Sequence, residues 1–253
     1  MTTNGKGFRG LQGKVAIVTG ASSGIGRATA LAFAREGVKV VVSDVNVSGG
    51  EETVRLIKEQ GGEAIFVKCD VSQESEVKTM VETTLATFGR LDFACNNAGI
   101  GGDLAPTAGY SLEAWNRVIG INLTGAFLCM KYEIPAMLRQ GGGAIVNMAS
   151  ILGHVGFAGA PAYVAAKHGL IGLTKNAAIE YAKQGIRVTA VCPAFIHTPM
   201  VDDGLTPEAK AQVEAAHPVG RMGNPEEVAE LVVFLCSDGA SSSATSSGLP
   251  MRP

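Results

Sequence analysis

Short runs of apolar, largely β-branched residues alternate along the chain with longer stretches whose apolar positions recur at helical spacing. The runs at Val15–Thr19 (VAIVT), 38–43 (VKVVVS), Ala64–Lys68, 91–95, 144–149 (AIVNMA) and Ile186–Val191 (IRVTAV) predict six strands. The helical patterns predict helices near 25–36, 50–60 and Glu74–Phe88, long helices over 111–139 and 160–182, and two more between 207 and 236. The strands lack polar alternation, so both of their faces should be covered, as in a parallel sheet. Strands alternating with helices imply βαβ units with right-handed crossovers. The expected fold class is therefore α/β, a single domain built on a doubly wound, Rossmann-type parallel sheet. Ligands of such sheets bind beyond the carboxyl ends of the strands. The loops after Thr19, Ser43, Cys95, Ala149 and Val191 should then surround one crevice.

Composition narrows the class. Of 253 residues, 46% are hydrophobic and 17% charged, enough apolar material for one sizeable core. The 33 glycines fall at strand-to-helix turns, not in a strict period, which argues against a collagen-like or linker chain. Net charge is −2 and no basic cluster stands out, so nucleic acid is not an expected partner. No apolar run reaches membrane-spanning length, so no membrane partner is expected either. Residues 1–12 are polar and glycine-rich and read as a short flexible leader without a signal peptide; 13–240 read as the Rossmann-type domain. The cysteines, Cys69, Cys95, Cys129, Cys192 and Cys236, are scattered with no C-x-x-C pair. Reduced thiols in a cytoplasmic protein are the simplest account, with Cys95, Cys192 and Cys236 acting as small hydrophobes. His154, His168, His197 and His217 show no ligand spacing, and no metal is expected.

The first strand runs into Gly20-Ala21-Ser22-Ser23-Gly24-Ile25-Gly26, and a helical pattern follows at once. Glycines let the backbone turn tightly and approach a pyrophosphate, which the free N–H groups and positive dipole end of the helix then receive. Asp44 closes the second strand, a little over twenty residues after Gly20. A carboxylate there accepts hydrogen bonds from the adenosine ribose hydroxyls and repels a 2′-phosphate. Val45 follows, Ser23 is neutral, and no Arg or Lys stands beside Asp44, so the expected cofactor is NAD.

Tyr163 and Lys167 lie four residues apart in a helical pattern and so share a face. A free tyrosine titrates near ~10, too high for a base at neutral pH. A neighbouring ammonium favours the phenolate, which could take a proton from an alcohol or return one to an alkoxide. Ser150, at the end of the fifth strand, could hydrogen-bond the same oxygen. The glycine loop, Asn96-Asn97-Ala98-Gly99, Ser150 thirteen residues before Tyr163, and Tyr163-x-x-x-Lys167 together resemble the short-chain dehydrogenase/reductase family, over nearly the whole chain from about Gln12 to Ser237. The resemblance implies Tyr163 as acid/base, Lys167 as the group that lowers its pKa and holds the nicotinamide ribose, and Ser150 as the carbonyl's hydrogen-bond partner. It also implies that Asn122 holds a water in a proton relay to Lys167. By the same resemblance Asp70 and Val71 contact adenine, Asn97, Ala98 and Gly99 line the adenosine ribose, and Pro193, Ile196 and Thr198 touch the carboxamide.

Two stretches depart from the family's pattern. Pro193 is followed by Ala194 where the family has glycine, which is harmless only if φ there is negative. Residues 241–253 form an atypical Ser-rich tail in place of the last strand, which is therefore in doubt. The expected partner is a small alcohol or ketone, and the expected assembly a homo-oligomer, dimer or tetramer. Ile100, Leu152, Val155, Phe157, Phe195 and Met200 would give the substrate side an apolar lining, with 194–217 as a lid. The leading reading is an NAD-dependent oxidoreductase of secondary alcohols and ketones, hydrophobic or alicyclic. The alternative is a catalytically weak or inactive NAD-binding protein of the same fold, on account of its tail. A carrier-protein ketoreductase is disfavoured by Asp44 and the net charge.

Overall fold

The computed structural model describes residues 8–202 and 206–243. Six parallel strands form one sheet in the order β3-β2-β1-β4-β5-β6. They are β1 (Val15–Thr19), β2 (Lys39–Asp44), β3 (Ala64–Lys68), β4 (Phe93–Asn96), β5 (Gly143–Met148) and β6 (Ile186–Val191). Order reverses at β1, between β2 and β4, and this reversal opens the crevice. The helices are α1 (Gly24–Arg35), α2 (Val47–Glu59), α3 (Glu74–Phe88), α4 (Leu112–Ile119), α5 (Ala126–Leu138), α6 (Pro161–Tyr181), α7 (Pro199–Asp202), α8 (Pro207–Ala216) and α9 (Pro225–Cys236).

Side chains alternate across each strand, and here both sides are dry. Ala16 and Val18 of β1 join Phe33 of α1 and Val232 of α9 in one core. Ile17 between them joins Met80 of α3, Ile134 of α5 and Ala178 of α6 in the other. This is the physical reason the strands read as continuous apolar runs.

The elements depart from the sequence expectation in a few places. The strand expected at 38–43 runs one residue later, and that expected at 91–95 begins at Phe93. Asp92 ends the approach to β4, its carboxylate accepting from Val15 N at 3.0 Å and Arg90 Nε at 2.7 Å. The helix expected from 50 begins at Val47, capped by Asn46, whose side chain accepts from Gly49 N. The long helix over 111–139 is interrupted by a π turn, Gly120–Gly125, between α4 and α5. The region 207–236 holds two helices, as expected, with α7 before them.

Part of the expected leader is packed. Leu11 is fully buried in the core, Phe8 lies against Phe234, and Asp238 N donates to Arg9 O at 3.1 Å. At the other end Arg187 Nη2 donates to the carbonyls of Leu235, Cys236 and Ser237, a cation set on the C-terminus of α9. The tail beyond Ser243, with the doubtful last strand, lies outside the described residues. Ala194 carries no strain, because no non-glycine described residue has a positive φ. Cys192 is only half-buried, unlike the other four thiols. Among the described residues no helix is long and apolar enough to cross a membrane, and no three His, Cys, Asp or Glu side chains cluster as metal ligands would.

Candidate active site

The glycine loop is built by close approach. Gly20 and Gly24 have φ of +65° and +51°, and a Cβ on Gly26 would stand 2.1 Å from the Gly20 carbonyl oxygen. Thr19 Oγ1 accepts from Asn97 N at 3.0 Å and Ala98 N at 3.1 Å, while Asn97 Nδ2 donates back to Thr19 O and Gly20 O. The ends of β1 and β4 are thereby clamped together. Arg27, which sequence reasoning missed, fastens the loop from the α2 side. Its guanidinium donates to Ser22 O, Gly49 O and Thr53 Oγ1, and Thr53 Oγ1 donates to Ala21 O at 2.8 Å. A lone arginine in a helical run carries no sequence signal for this, because two of its three partners come from another element.

Asp44 is held at both oxygens, Oδ2 accepting from Ser22 N and Oδ1 from Asn46 N, each at 2.9 Å. Asp70 is held by Ser72, whose N and Oγ donate to Oδ1 at 2.9 and 2.7 Å. Gly20, Ser22, Ser23, Gly24, Ile25, Asp44, Asp70, Val71, Asn97, Ala98 and Gly99 line one side of a cleft of ≈ 380 Å³ at the carboxyl ends of the strands. Pro193, Ile196 and Thr198 line it too, and Gly26 lies just beneath.

Ser150, Tyr163 and Lys167 line the same cleft. Ser150 follows β5, and its Oγ accepts from Leu152 N at 3.2 Å. Lys167 is 3% exposed and its Nζ donates to Met148 O at 2.7 Å, 5.4 Å from the Tyr163 ring centre. Burial pushes the Tyr163 phenol up, with the Ser150 hydroxyl working the other way. Burial also lowers the Lys167 ammonium to about 8, against a small opposing effect of Cys192. The protein's own groups thus keep Tyr163 a phenol, whereas the sequence reading has the ammonium favouring the phenolate.

Asn122 sits in the π turn, 1% exposed, and does not line the cleft. Its carboxamide pairs with the loop after β4, Nδ2 donating to Ile100 O and Oδ1 accepting from Ile100 N, both at 2.8 Å. Both of its hydrogen-bonding ends serve the backbone. Gly99 separates it from Lys167: a Cβ there would lie 3.2 Å from Asn122 Oδ1 and 3.7 Å from Lys167 Nζ.

Of the expected substrate residues, Ile100 and Met200 line the cleft, while Leu152, Val155, Phe157 and Phe195 do not. Phe157 packs on Phe195, ring centres 6.4 Å apart, and Phe195 meets His217 edge-on at 6.1 Å. These aromatics join the loop after β5 to the segment that follows α8. His168, next to Lys167 in the chain, is exposed, its Nδ1 2.9 Å from Val164 O.

The enoyl-(acyl carrier protein) reductase family model matches residues 20–247. A cyclohexanol dehydrogenase of Acinetobacter sp. (strain SE19) is 49% identical over 228 residues, 90% of this chain and 89% of that protein. A cis-4-hydroxycyclohexanecarboxylate dehydrogenase of Sinomonas cyclohexanicum is 46% identical over 228 residues, 90% and 91% of the two chains. The crystal structure of levodione reductase superposes with a TM-score of 0.91 at 38% identity, covering 93% of this chain and 95% of that one. The chain belongs to the short-chain dehydrogenase/reductase family.

As a short-chain dehydrogenase/reductase the protein is an oxidoreductase, and dehydrogenases of this family use nicotinamide cofactors. The residues present fit such a group. The cleft falls within the ordinary range for ligand sites, ~300–1,000 Å³. Its floor is a glycine turn with no room for a side chain at Gly26, and the first-turn N–H groups of α1 have no partner within the helix.

Proposed function

We propose that the chain transfers a hydride reversibly between NAD(H) and a secondary alcohol or ketone on an alicyclic ring. The observation that carries this reading is the convergence of Ser150, Tyr163 and Lys167 on the cleft that the glycine loop and Asp44 also line. Alicyclic substrates are favoured by the cyclohexanol and hydroxycyclohexanecarboxylate dehydrogenases that the chain resembles. The apolar Ile100 and Met200 on the cleft wall suit such a ring.

Bound nicotinamide supplies or accepts the hydride. Tyr163 Oη takes the proton of the alcohol or returns one to the alkoxide, and Ser150 Oγ hydrogen-bonds the same oxygen. Lys167 brings its positive charge to the Tyr163 ring and binds the nicotinamide ribose. Asn122 keeps the π turn and the Ile100 loop in place beside Lys167 and supports the relay that returns its proton. Gly20, Ser22, Ser23, Gly24, Ile25 and Gly26 receive the pyrophosphate, Asp70 and Val71 the adenine, and Asn97, Ala98 and Gly99 the adenosine ribose. Pro193, Ile196 and Thr198 meet the carboxamide. Phe157 and Phe195 shape the substrate side from behind through their aromatic stack, with Leu152 on the same segment after β5.

NAD is preferred to NADP because the Asp44 carboxylate, fixed by two backbone donors and in no salt bridge among the described residues, repels a 2′-phosphate. A reducing, cytoplasmic setting suits five unpaired thiols. A homo-oligomer suits the half-exposed Phe127 on α5 and Ile179 on α6, and light scattering reads its order.

The test follows NADH absorbance with cyclohexanone, and NAD with cyclohexanol, beside NADP(H) and beside Tyr163→Phe. The expected result is turnover with NAD(H) that falls by about 10²–10⁴-fold in the variant while NADH binding persists. A preference for NADPH would overturn the reading of Asp44. NADH binding without turnover on any cyclic ketone or alcohol would favour a nucleotide-binding protein without catalysis.

A further inference from the structure

Glu133, on α5, is the one carboxylic acid among the fully buried side chains of the described residues, and nothing in the proposed chemistry uses it. Its Oε2 accepts from Asn96 Nδ2 at 3.1 Å, at the carboxyl end of β4. Asn96 Nδ2 also donates to Asn147 Oδ1 at 3.1 Å, across the register pair that joins β4 to β5. Asn147 Nδ2 donates to Thr174 Oγ1 at 2.9 Å and meets Met130 Sδ at 3.4 Å. Thr174 Oγ1 donates to Leu170 O at 2.7 Å, within α6. One line of hydrogen bonds therefore crosses from α5 through β4 and β5 to α6, the helix that bears Tyr163 and Lys167.

Two atoms in this line are buried without a partner: Glu133 Oε1 and Asn96 Oδ1. They are the other oxygen of the Glu133 carboxyl and the carbonyl oxygen of the Asn96 carboxamide, the two groups already joined by the 3.1 Å bond. Two bare acceptors in a dry interior cost free energy, more so if one carries a charge. A single proton on Glu133 Oε1 removes both defects, since the acid O–H can donate to Asn96 Oδ1 while Asn96 Nδ2–H donates to Oε2. Acid and amide then form a closed two-bond pair, and every side-chain donor along the line is used.

We propose that Glu133 is a positioning residue: its neutral carboxyl pairs with the Asn96 carboxamide and locks the Asn96–Asn147–Thr174 line that seats the catalytic helix α6 on the sheet. The surroundings favour the neutral form. Burial pushes the Glu133 carboxyl up to about 7, with Asn96 working the other way. The titratable groups that face it are the thiols of Cys129 on α5 and Cys95 on β4, both pushed up by burial and so uncharged. From β5 and α6 come Asn147 and Thr174, and no charged side chain among the described residues contributes to its shift. A carboxyl raised from 4.5 to about 7 stabilises the fold fully below its unfolded pKa. That contribution is lost as pH rises through about 7.

The inference rests on the proposed roles of Tyr163 and Lys167 only for its effect on turnover, so the experiment has arms that need none. Urea unfolding of the full, cofactor-free chain is followed across pH for the wild type, Glu133→Gln and Glu133→Leu. Glutamine keeps the two-bond pair without a titrating proton. The wild-type midpoint should fall relative to Glu133→Gln as pH rises from 4.5 to about 7, and level off above it. Infrared difference spectra, wild type minus Glu133→Gln, should show a protonated carboxyl stretch below that pH. In the kinetic arm Glu133→Gln retains the wild-type kcat, whereas Glu133→Leu, which strands Asn96, lowers kcat roughly tenfold with little change in KM. Parallel pH curves for wild type and Glu133→Gln, no protonated carboxyl band, or a Glu133→Leu chain as stable and active as wild type would each overturn the proposal. Absence of turnover in all three chains would count against the hydride-transfer reading and leave the unfolding and infrared arms to decide Glu133.

Discussion

Burial disfavours the charged form of both Tyr163 and Lys167, so it raises the phenol and lowers the ammonium. For Lys167 this becomes a measurable linkage. A lysine depressed to about 8 from 10.5 carries its full burial penalty below pH 8. The penalty is released as pH rises toward the unfolded pKa, because the unfolded chain then holds more protons than the folded one. Wild type should therefore gain stability relative to Lys167→Met as pH increases from about 8 to 10.5 in the cofactor-free chain. Denaturant midpoints of the two proteins across that range check it, and a constant difference would count against a buried, strained ammonium. The same variant should lose turnover, since the bond to Met148 O and the charge near the Tyr163 ring disappear together. A site that holds an ammonium in a dry place is costly to stability and useful to chemistry.

The π turn is the element on which the site's geometry depends most. An α-helix carried straight through 111–139 would rotate Asn122 away from the Ile100 loop it now clamps at both ends of its carboxamide. Gly125, the last residue of that turn, packs directly on Val71, and an added Cβ would sit 2.7 Å from Val71 Cγ2 and 3.2 Å from Val71 O. Gly125→Ala should then cost about 1–3 kcal/mol of stability by overpacking. It should also push Val71 into the cleft it lines and weaken NADH binding. Thermal unfolding and NADH fluorescence titration read the two effects separately, and an alanine variant with unchanged Tm and Kd would show that α5 can shift without consequence.

At the scale of the molecule, the parallel sheet is sealed by pieces that the chain contributes from its ends. Leu11 closes the core on the α1 and α9 side, and Phe8 and the Arg9 carbonyl meet the segment around α9. Removing a fully buried leucine side chain costs roughly 2–5 kcal/mol, so Leu11→Ala should lower the unfolding free energy by that amount. A freely moving leader would show no change on the same denaturation curve. At the sheet edge beside α9, the Arg187 contacts make β6 and α9 one unit, so stability lost there would reach Pro193, Ala194, Ile196 and Thr198, which line the cleft.

Much of this protein can be read from its residues one at a time and in order. The six strands, the order of strands and helices, the glycine turn, Asp44 and the Ser150, Tyr163 and Lys167 set all follow from local patterns, because a buried strand is apolar throughout and a nucleotide turn needs glycine where no Cβ fits. What only the tertiary structure decided are relations between residues far apart in the chain. Arg27 is an ordinary helical arginine until Gly49 and Thr53 are brought to it. Phe157 and Phe195 look like substrate walls until they turn to one another and to His217. The π turn hides within an unbroken helical pattern, because the extra backbone residue changes no hydrophobic spacing that a short window can detect. Glu133 reads as one more polar position on a helix until the sheet's Asn96 and Asn147 meet it in a dry interior, where hydrogen-bond partners and the absence of water decide its charge.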